Sequence, residues 1–300
     1  MSSDSGKPFV SVIVPVYNDA GRIAKCIEAL IDQTYLKDQY EIIVVDNGSD
    51  DNTRDIVRQY PVKLLLEDAI QGSYAARNKG IEHARGEIIS FTDSDCIPVR
   101  EWIDAGVEGM ITGGADLVSG TVHFIFSSRP TGSEIYDSLT NMQIEKNIRE
   151  RKVSKTANLF VHSRVIDTVG PFPAFLRSGG DVWWTGRATA KGFKLLYVPN
   201  AEVAHPARRL SHLLEKQFRV GRGMPRIRIS NGESKWKCFL YGFFLLLPPN
   251  YFKIKKLLFE RQEPSLGKKM LSVWCAAWLS RIAMGIGTIT SVSFLWSKEF

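Results

Sequence analysis

The chain opens with short, nearly unbroken apolar runs separated by amphipathic stretches. Residues 10–17, Val10-Ser11-Val12-Ile13-Val14-Pro15-Val16-Tyr17, read as a strand buried on both faces. Asn18 and Asp19 can cap the helix that follows, which carries Ile23, Ile27, Leu30 and Ile31 on one stripe. A second apolar strand spans 40–46 and ends in the polar loop Asp46-Asn47-Gly48-Ser49-Asp50-Asp51-Asn52-Thr53. A third strand covers 63–67, a helix runs from Gly72-Ser73 to Arg85 with Gly86 as its stop, and a strand over 88–92 leads into Asp93-Ser94-Asp95. Strands alternating with helices predict an α/β fold with a mostly parallel central sheet flanked by helices.

Further along, the pattern predicts a helix over 102–110, a strand over 117–126 and one helix over 133–149. It then predicts a strand over 157–161, a turn at Gly170-Pro171-Phe172-Pro173, a helix after Asp181, a strand over 193–198, and a segment 201–205 ending at His205. Beyond that the strands stop. An amphipathic helix over 210–220 precedes two strongly apolar segments, 236–247, closed by Pro248-Pro249, and 271–296. The expected organisation is an α/β domain over 1–208 and a helical, basic and apolar C-terminal extension over 209–300.

Side chains two apart on a strand share a face, so Asp93 and Asp95 can converge just past a buried strand end. Two close carboxylates repel unless a cation joins them, and hard oxygen ligands suit Mg²⁺ or Mn²⁺. An isolated Asp-x-Asp is more often a solvated turn. Here Asp46, Asp93 and Asp95 all stand at carboxyl ends of expected strands, where α/β sheets bind ligands.

Net charge is +7, unevenly spread: 17 basic and 5 acidic residues from His205 onward, against 22 and 27 before it. Basic residues beside long apolar runs fit an anionic membrane surface better than nucleic acid. The segment 236–247 is shorter than the ~20 residues of a spanning helix. Arg281 interrupts 271–296, at about 2.5–3.5 kcal/mol for a central Arg on insertion scales. Helices lying in or dipping into the membrane interface are expected, with Lys253, Lys255, Lys256, Lys268 and Lys269 and with Trp236, Trp274, Trp278 and Trp296 as anchors. A helical pair packed on the first domain or on a second subunit is the alternative, and an oligomer is compatible with it. The arginines at 219, 222, 226 and 228 are either a phosphate grip or a solvated basic face. Four widely spaced cysteines form no metal or redox motif and read as reduced, mostly packing residues of a cytoplasmic protein. The polar start followed by a strand is not a secretory signal.

Seven stretches occur in a telling order. They are Val12-Ile13-Val14-Pro15-Val16-Tyr17-Asn18, Val44-Val45-Asp46-Asn47-Gly48-Ser49-Asp50-Asp51 and Ala75-Ala76-Arg77-Asn78-Lys79-Gly80. Then come Thr92-Asp93-Ser94-Asp95, Ala157-Asn158-Leu159-Phe160, Gly179-Gly180-Asp181 and Ala201-Glu202-Val203-Ala204-His205. Over the first 205 residues the chain resembles glycosyltransferase family 2, enzymes of the GT-A fold. The resemblance implies a nucleotide-diphosphate sugar donor, a divalent metal and inversion by a single in-line displacement. Pro15, Val16, Tyr17 and Asn18 would line the base and ribose pocket, Asp46 would bond the base, typically a uracil edge, and Asp50 or its neighbour Asp51 would shape that pocket. Arg77 would lie near the diphosphate or ribose. Asp93 and Ser94 would belong to the donor site, Asp95 would bind the metal with His205, and Asp181 would be the catalytic base. The acceptor would be a glycan or lipid-linked hydroxyl, and the location peripheral on the cytosolic face of a membrane.

Without that resemblance Asp181 is most simply a helix cap, His205 a loop histidine and Arg77 a solvated helix residue. Many relatives carry Glu-Asp where this chain has Gly180-Asp181. The nearest match to the Gln-x-x-Arg-Trp motif of processive synthases, Gln217-Phe218-Arg219-Val220-Gly221-Arg222, lacks its Trp, and several clear membrane spans are missing; both argue against a processive enzyme. Two rivals stand: a non-catalytic sugar-nucleotide-binding subunit, and a nucleotidyltransferase, for which 17–22 lacks the glycine-rich basic loop.

Overall fold

The computed structural model describes residues 6–259 and 269–297. It divides into two compact units. The first comprises Met1–His123, Gln143–Phe175 and Gly180–His205; the second comprises Phe124–Met142, Leu176–Gly179 and Pro206–Phe300.

The first unit is built on a sheet of order β3-β2-β1-β4-β7-β6-β8-β5. The expected parallel strands are β1 (Val10–Val16), β2 (Tyr40–Asp46), β3 (Lys63–Leu66) and β4 (Ile88–Thr92). Every residue of β1 and β4 is buried, as strands covered on both faces must be. Beyond β4 the sheet turns antiparallel, through β7 (Asn158–His162) and β6 (Leu117–Ile125). A two-residue strand, β5 (Ile97–Pro98), pairs antiparallel with β8 (Leu195–Pro206), which is continuous where two segments were expected. Helix α1 (Ile23–Ile31) buries Ile23, Cys26, Ile27 and Leu30, the stripe its spacing predicts. Helix α3 (Ser73–Glu82) presses so closely on β1 that a Cβ on Gly80 would lie 2.5 Å from the Ile13 side chain.

The helix expected over 133–149 is two helices, α5 (Gly132–Thr140) and α6 (Ile144–Arg151). They part at Met142, whose φ of 50° is left-handed and ends a helical path. Thr131 and Glu134 form a reciprocal capping box at the start of α5.

In the second unit, α9 (Leu210–Ser230) runs ten residues past its expected end and contains Pro225. Its Gly221 and Gly223 are buried, and a Cβ on Gly221 would collide with the Met284 carbonyl. Helix α12 (Met270–Ser297) packs on α9 there, with Ser291 Oγ donating to the Arg222 carbonyl at 2.9 Å. Helix α10 (Lys235–Leu246) meets α12 at a second glycine pair, Gly242 and Gly285. Arg281, the expected interruption of an apolar span, donates to the Phe244 and Leu247 carbonyls at 3.0 and 3.2 Å. Trp278 and Trp274 donate to the Leu246 and Pro249 carbonyls at 2.9 and 3.0 Å. The carbonyls that α10 and the prolines leave open are thus satisfied by α12. Val273, Ala277 and Met270 of α12 pack with Ile135 and Leu139 of α5 and with Ile254 and Leu258 of α11 (Tyr251–Phe259). Lys268 and the Trp296 side chain lie outside the described residues.

Asn158 is the polar centre of the first unit. Its Nδ2 donates to the Thr121 and Ala201 carbonyls at 2.9 and 2.7 Å, and its Oδ1 accepts from Trp102 Nε1 at 2.9 Å. Asn158→Ala strands all three buried groups, at roughly 1–3 kcal/mol for each one left unsatisfied. Urea unfolding should show a midpoint lowered by the equivalent of about 3 kcal/mol or more.

Candidate active site

Parallel register brings the strand ends to one edge: Val16 pairs with Asp46 across β1 and β2, and β4 runs beside β1 toward Asp93. After β4 the chain turns tightly, with the Cys96 N–H bonded to the Asp93 carbonyl at 3.0 Å. Asp93, Asp95 and Cys96 have their ligand atoms within 4.8 Å of one another. The pairing of Ile97 with Ala204 sets His205 beside this turn. Its Nε2 lies 3.7 Å from Asp95 Oδ2, and the histidine is fully buried. Burial, aided by the Asp95 and Asp93 charges, pushes the Cys96 thiol well above its usual range. The carboxylates of Asp93 and Asp95 with the His205 imidazole are a donor set suited to Mn²⁺ or Mg²⁺.

Three arginines answer the carboxylates. Arg22 Nε lies 2.5 Å from Asp19 and its Nη1 lies 3.6 Å from Asp95. Asp19 is buried and does not cap α1; its other oxygen accepts from Ser94 Oγ at 2.6 Å. Burial raises the Asp19 carboxyl above its ordinary value, against the hydrogen bonds from Ser94 and Arg22. Arg77 is 3% exposed rather than solvated, and its Nη2 contacts Asp93 Oδ1 at 2.5 Å. Arg54 Nε donates to Asp46 Oδ1 at 2.6 Å.

Asp46 is fully buried at the end of β2. Its Oδ1 also accepts from the Gly48 and Ser49 N–H groups at 3.2 and 3.1 Å. Gly48 holds a φ of 84° that suits glycine alone among common residues. Asp46 Oδ2 is buried and has no partner among the described residues. The β1 and β2 loops are stitched together: the Asn18 N–H donates to Ser49 Oγ and the Asp50 N–H to Asn18 Oδ1, each at 2.9 Å. Asn18 takes a left-handed φ of 48°, which Asn tolerates better than most side chains. Asp50 itself is exposed, whereas Asp51 is engaged by Thr53, whose hydroxyl lowers its carboxyl. Pro15 and Val16 are buried within β1, and Tyr17 is half exposed.

Asp181 stands in the first turn of α8 (Gly180–Ala190). Its Oδ1 accepts from the Tyr74 hydroxyl at 3.1 Å and from the Val182 N–H at 2.9 Å. Tyr74 and Arg77 are one turn apart on α3, with the guanidinium 5.7 Å from the ring centre. Helix α3 therefore connects Asp181 to Asp93. The expected residues thus form an Asp93–Asp95–His205 group, a separate Asp46 pocket, and an Asp181 position joined to the first through α3. Arg22 and Arg54 belong to the same edge and were not anticipated. A basic residue after each of the two acidic loops was their only trace in the sequence.

The model of glycosyl transferase family 2 matches residues 11–178, more than half of the chain. The chain belongs to this family. It is a glycosyltransferase, and over 296 residues it is 43% identical to glycosyltransferase AglE of Haloferax volcanii, covering 95% of this chain and 96% of that one. Among solved structures it resembles the mannosyltransferase PcManGT from Pyrobaculum calidifontis, in complex with GDP-Man and Mn²⁺. That match has a TM-score of 0.59 and 19% identity over 98% of this chain and 80% of the other. S. aureus TarS 1–349, in complex with UDP, matches with a TM-score of 0.53 and 18% identity over 91% and 90%. These two likenesses establish the GT-A fold of this family 2 chain.

All four cysteines are free, and only Cys275 is exposed. Burial, with the charges of Asp95 and Asp93, also pushes the Cys26 thiol far up. A disulfide reagent at pH 8 should therefore label one thiol per folded chain, Cys275, and the other three only in guanidinium. Rapid labelling of more than one thiol in the folded protein would contradict the buried placement of Cys26, Cys96 and Cys238.

Proposed function

We propose that this glycosyltransferase is metal-dependent and inverting, and that it moves a sugar from a UDP-sugar to a hydroxyl of a glycan or lipid-linked acceptor. The observation that carries the reading is the convergence of Asp93, Asp95 and His205 at the sheet edge, joined through Arg77 and Tyr74 to Asp181. Asp95 and His205 would hold Mn²⁺ or Mg²⁺, which when bound supplies positive charge for the departing diphosphate. Asp93 pairs with Arg77, and Arg22 adds a second cation next to Asp95. Asp46 Oδ2, a buried acceptor, suits the imide N–H of uracil, with Arg54 holding the carboxylate in place. Pro15, Val16, Tyr17, Asn18, Ser94 and Asp50 complete the base and ribose side of the pocket. A sugar hydroxyl is a weak nucleophile near neutral pH. Asp181, half-buried at a helix start, takes its proton as the bond to the anomeric carbon forms.

The reading includes a place for the enzyme, the cytosolic face of a membrane. Among the described residues α12 is the one helix long and apolar enough to cross a bilayer, but it packs on α9 and α10 and carries Arg281 at the α10 turn. The surface suited to lipid is instead on α10 and α11. Trp236, Leu240, Phe243, Phe244, Leu247 and Phe252 are exposed there. Lys235, Lys237, Lys253, Lys255 and Lys256 flank them, and no acidic residue occurs from 234 to 259. Aromatic and aliphatic side chains ringed by lysines favour an anionic interface.

A panel of UDP-, GDP- and dTDP-sugars, assayed with Mn²⁺ and then with EDTA, tests the chemistry. Release of UDP should require the metal and fall by at least about 10²-fold in Asp181→Asn. Turnover of a GDP- or dTDP-sugar alone would refute the assignment of the base. Turnover undiminished by EDTA would refute the metal. On sedimentation with vesicles, the protein should bind phosphatidylcholine–phosphatidylglycerol mixtures and lose most binding when Lys253, Lys255 and Lys256 are changed to Glu. No binding to these anionic vesicles would remove the membrane from the proposal.

A further inference from the structure

The structure gives a spatial reason for a glycine immediately before Asp181: a Cβ at 180 would crowd the Tyr74 ring. We infer that Tyr74 is a positioning residue for Asp181, and that Gly180 is the residue that lets it reach. This rests on Asp181 being the base, as proposed above.

The Tyr74 hydroxyl donates to Asp181 Oδ1 at 3.1 Å, and the Val182 N–H occupies the same oxygen at 2.9 Å. One oxygen of the carboxylate is thereby held by two donors, which leaves Oδ2 to take the proton of an acceptor hydroxyl if Asp181 is the base. The phenol cannot wander. Tyr74 is 5% exposed, its ring stacks on Phe172 with centres 6.1 Å apart, and the Arg77 guanidinium lies 5.7 Å from its ring centre. Burial, with the adjacent Asp181 charge, pushes the Tyr74 hydroxyl far above its ordinary range, so it remains a donor at every working pH.

Gly180 is the matching half. A Cβ there would stand 2.7 Å from Tyr74 Cε2 and 2.9 Å from Pro173 Cγ. Gly180 does not take a left-handed φ, so the requirement is one of space and not of backbone. A glutamate at 180 and a tyrosine packed as Tyr74 is here exclude each other. A phenol hydrogen-bonded to the base thus stands where an acidic neighbour would have crowded it. A donor stabilises the charged carboxylate and aims it, whereas a second carboxylate repels it.

The test compares Tyr74→Phe, Gly180→Ala and Asp181→Asn with wild type in the transfer assay. Tyr74→Phe removes one oxygen and keeps the ring packing. Loss of a hydrogen bond to a charged group lowers kcat by about 10- to 100-fold, with the donor KM unchanged. The acid limb of its pH–rate profile moves to higher pH, because a carboxylate that loses a donor holds its proton more tightly. Among the described residues the Tyr74 hydroxyl and the Val182 N–H bond Asp181, with the Arg77 cation beyond Tyr74, and only the first is altered. Gly180→Ala displaces the ring and reproduces the loss, while Tyr74→Phe/Gly180→Ala is no worse than the poorer single variant. A Tyr74→Phe enzyme with wild-type kcat and pH profile overturns the inference. So does one that loses only donor affinity. Activity retained in Asp181→Asn instead overturns the assignment of the base, whichever way the tyrosine behaves.

Discussion

Like charge gathered at one sheet edge is the constraint on which the first unit depends. Asp19, Asp46, Asp93 and Asp95 leave the strand ends within a few residues of β1, β2 and β4. Asp19 and Asp46 are buried and Asp93 and Asp95 partly so, and burial of an unpaired carboxylate is costly. Arg22, Arg54 and Arg77 each take at least one of them. The pairing does more than neutralise. It fixes rotamers, so each carboxylate presents a chosen oxygen, and it leaves the edge poised between repulsion and compensation.

The same edge shows how backbone geometry serves chemistry. The loop after β2 wraps Asp46 Oδ1 with two N–H groups and a guanidinium, at the cost of a left-handed Gly48. The loop after β1 requires a left-handed Asn18 whose side chain returns to the Asp50 N–H. Neither loop would keep its shape alone. Each supplies the hydrogen bonds that satisfy the other, so the pocket wall is a joint product of two strand ends.

Much of this could be read in the sequence because buried parallel strands are nearly continuous apolar runs, and the acids that end them stand out. Asp46, Asp93 and Asp95 were visible for that reason, whereas His205 stood out only through the family resemblance. The arginines were not, because a surface Arg and an edge Arg look alike until loop conformation is known. Helix ends in the second unit also misled. The helix expected over 210–220 continues through Gly221, Gly223 and Pro225. Both glycines lie against neighbouring backbone, Gly221 at the Met284 carbonyl and Gly223 at the Ser178 carbonyl, and a periodicity argument cannot separate that use from termination. The opposite error arose at Met142, where apolar spacing continues across a left-handed break.

Trp274, Trp278 and Arg281 form a row of donors whose targets are carbonyls at the end of α10 and in the turn after it. Four-residue and three-residue steps keep the row on one face of the helix. The arrangement works as a vernier between two helices. A one-residue insertion or deletion between 274 and 281 would rotate one part of the row by about 100° relative to the other. Loss of phase, more than loss of any one bond, would then separate the helices. Sequence length over those eight positions should accordingly be far less free to vary than the identity of the outward-facing side chains among them.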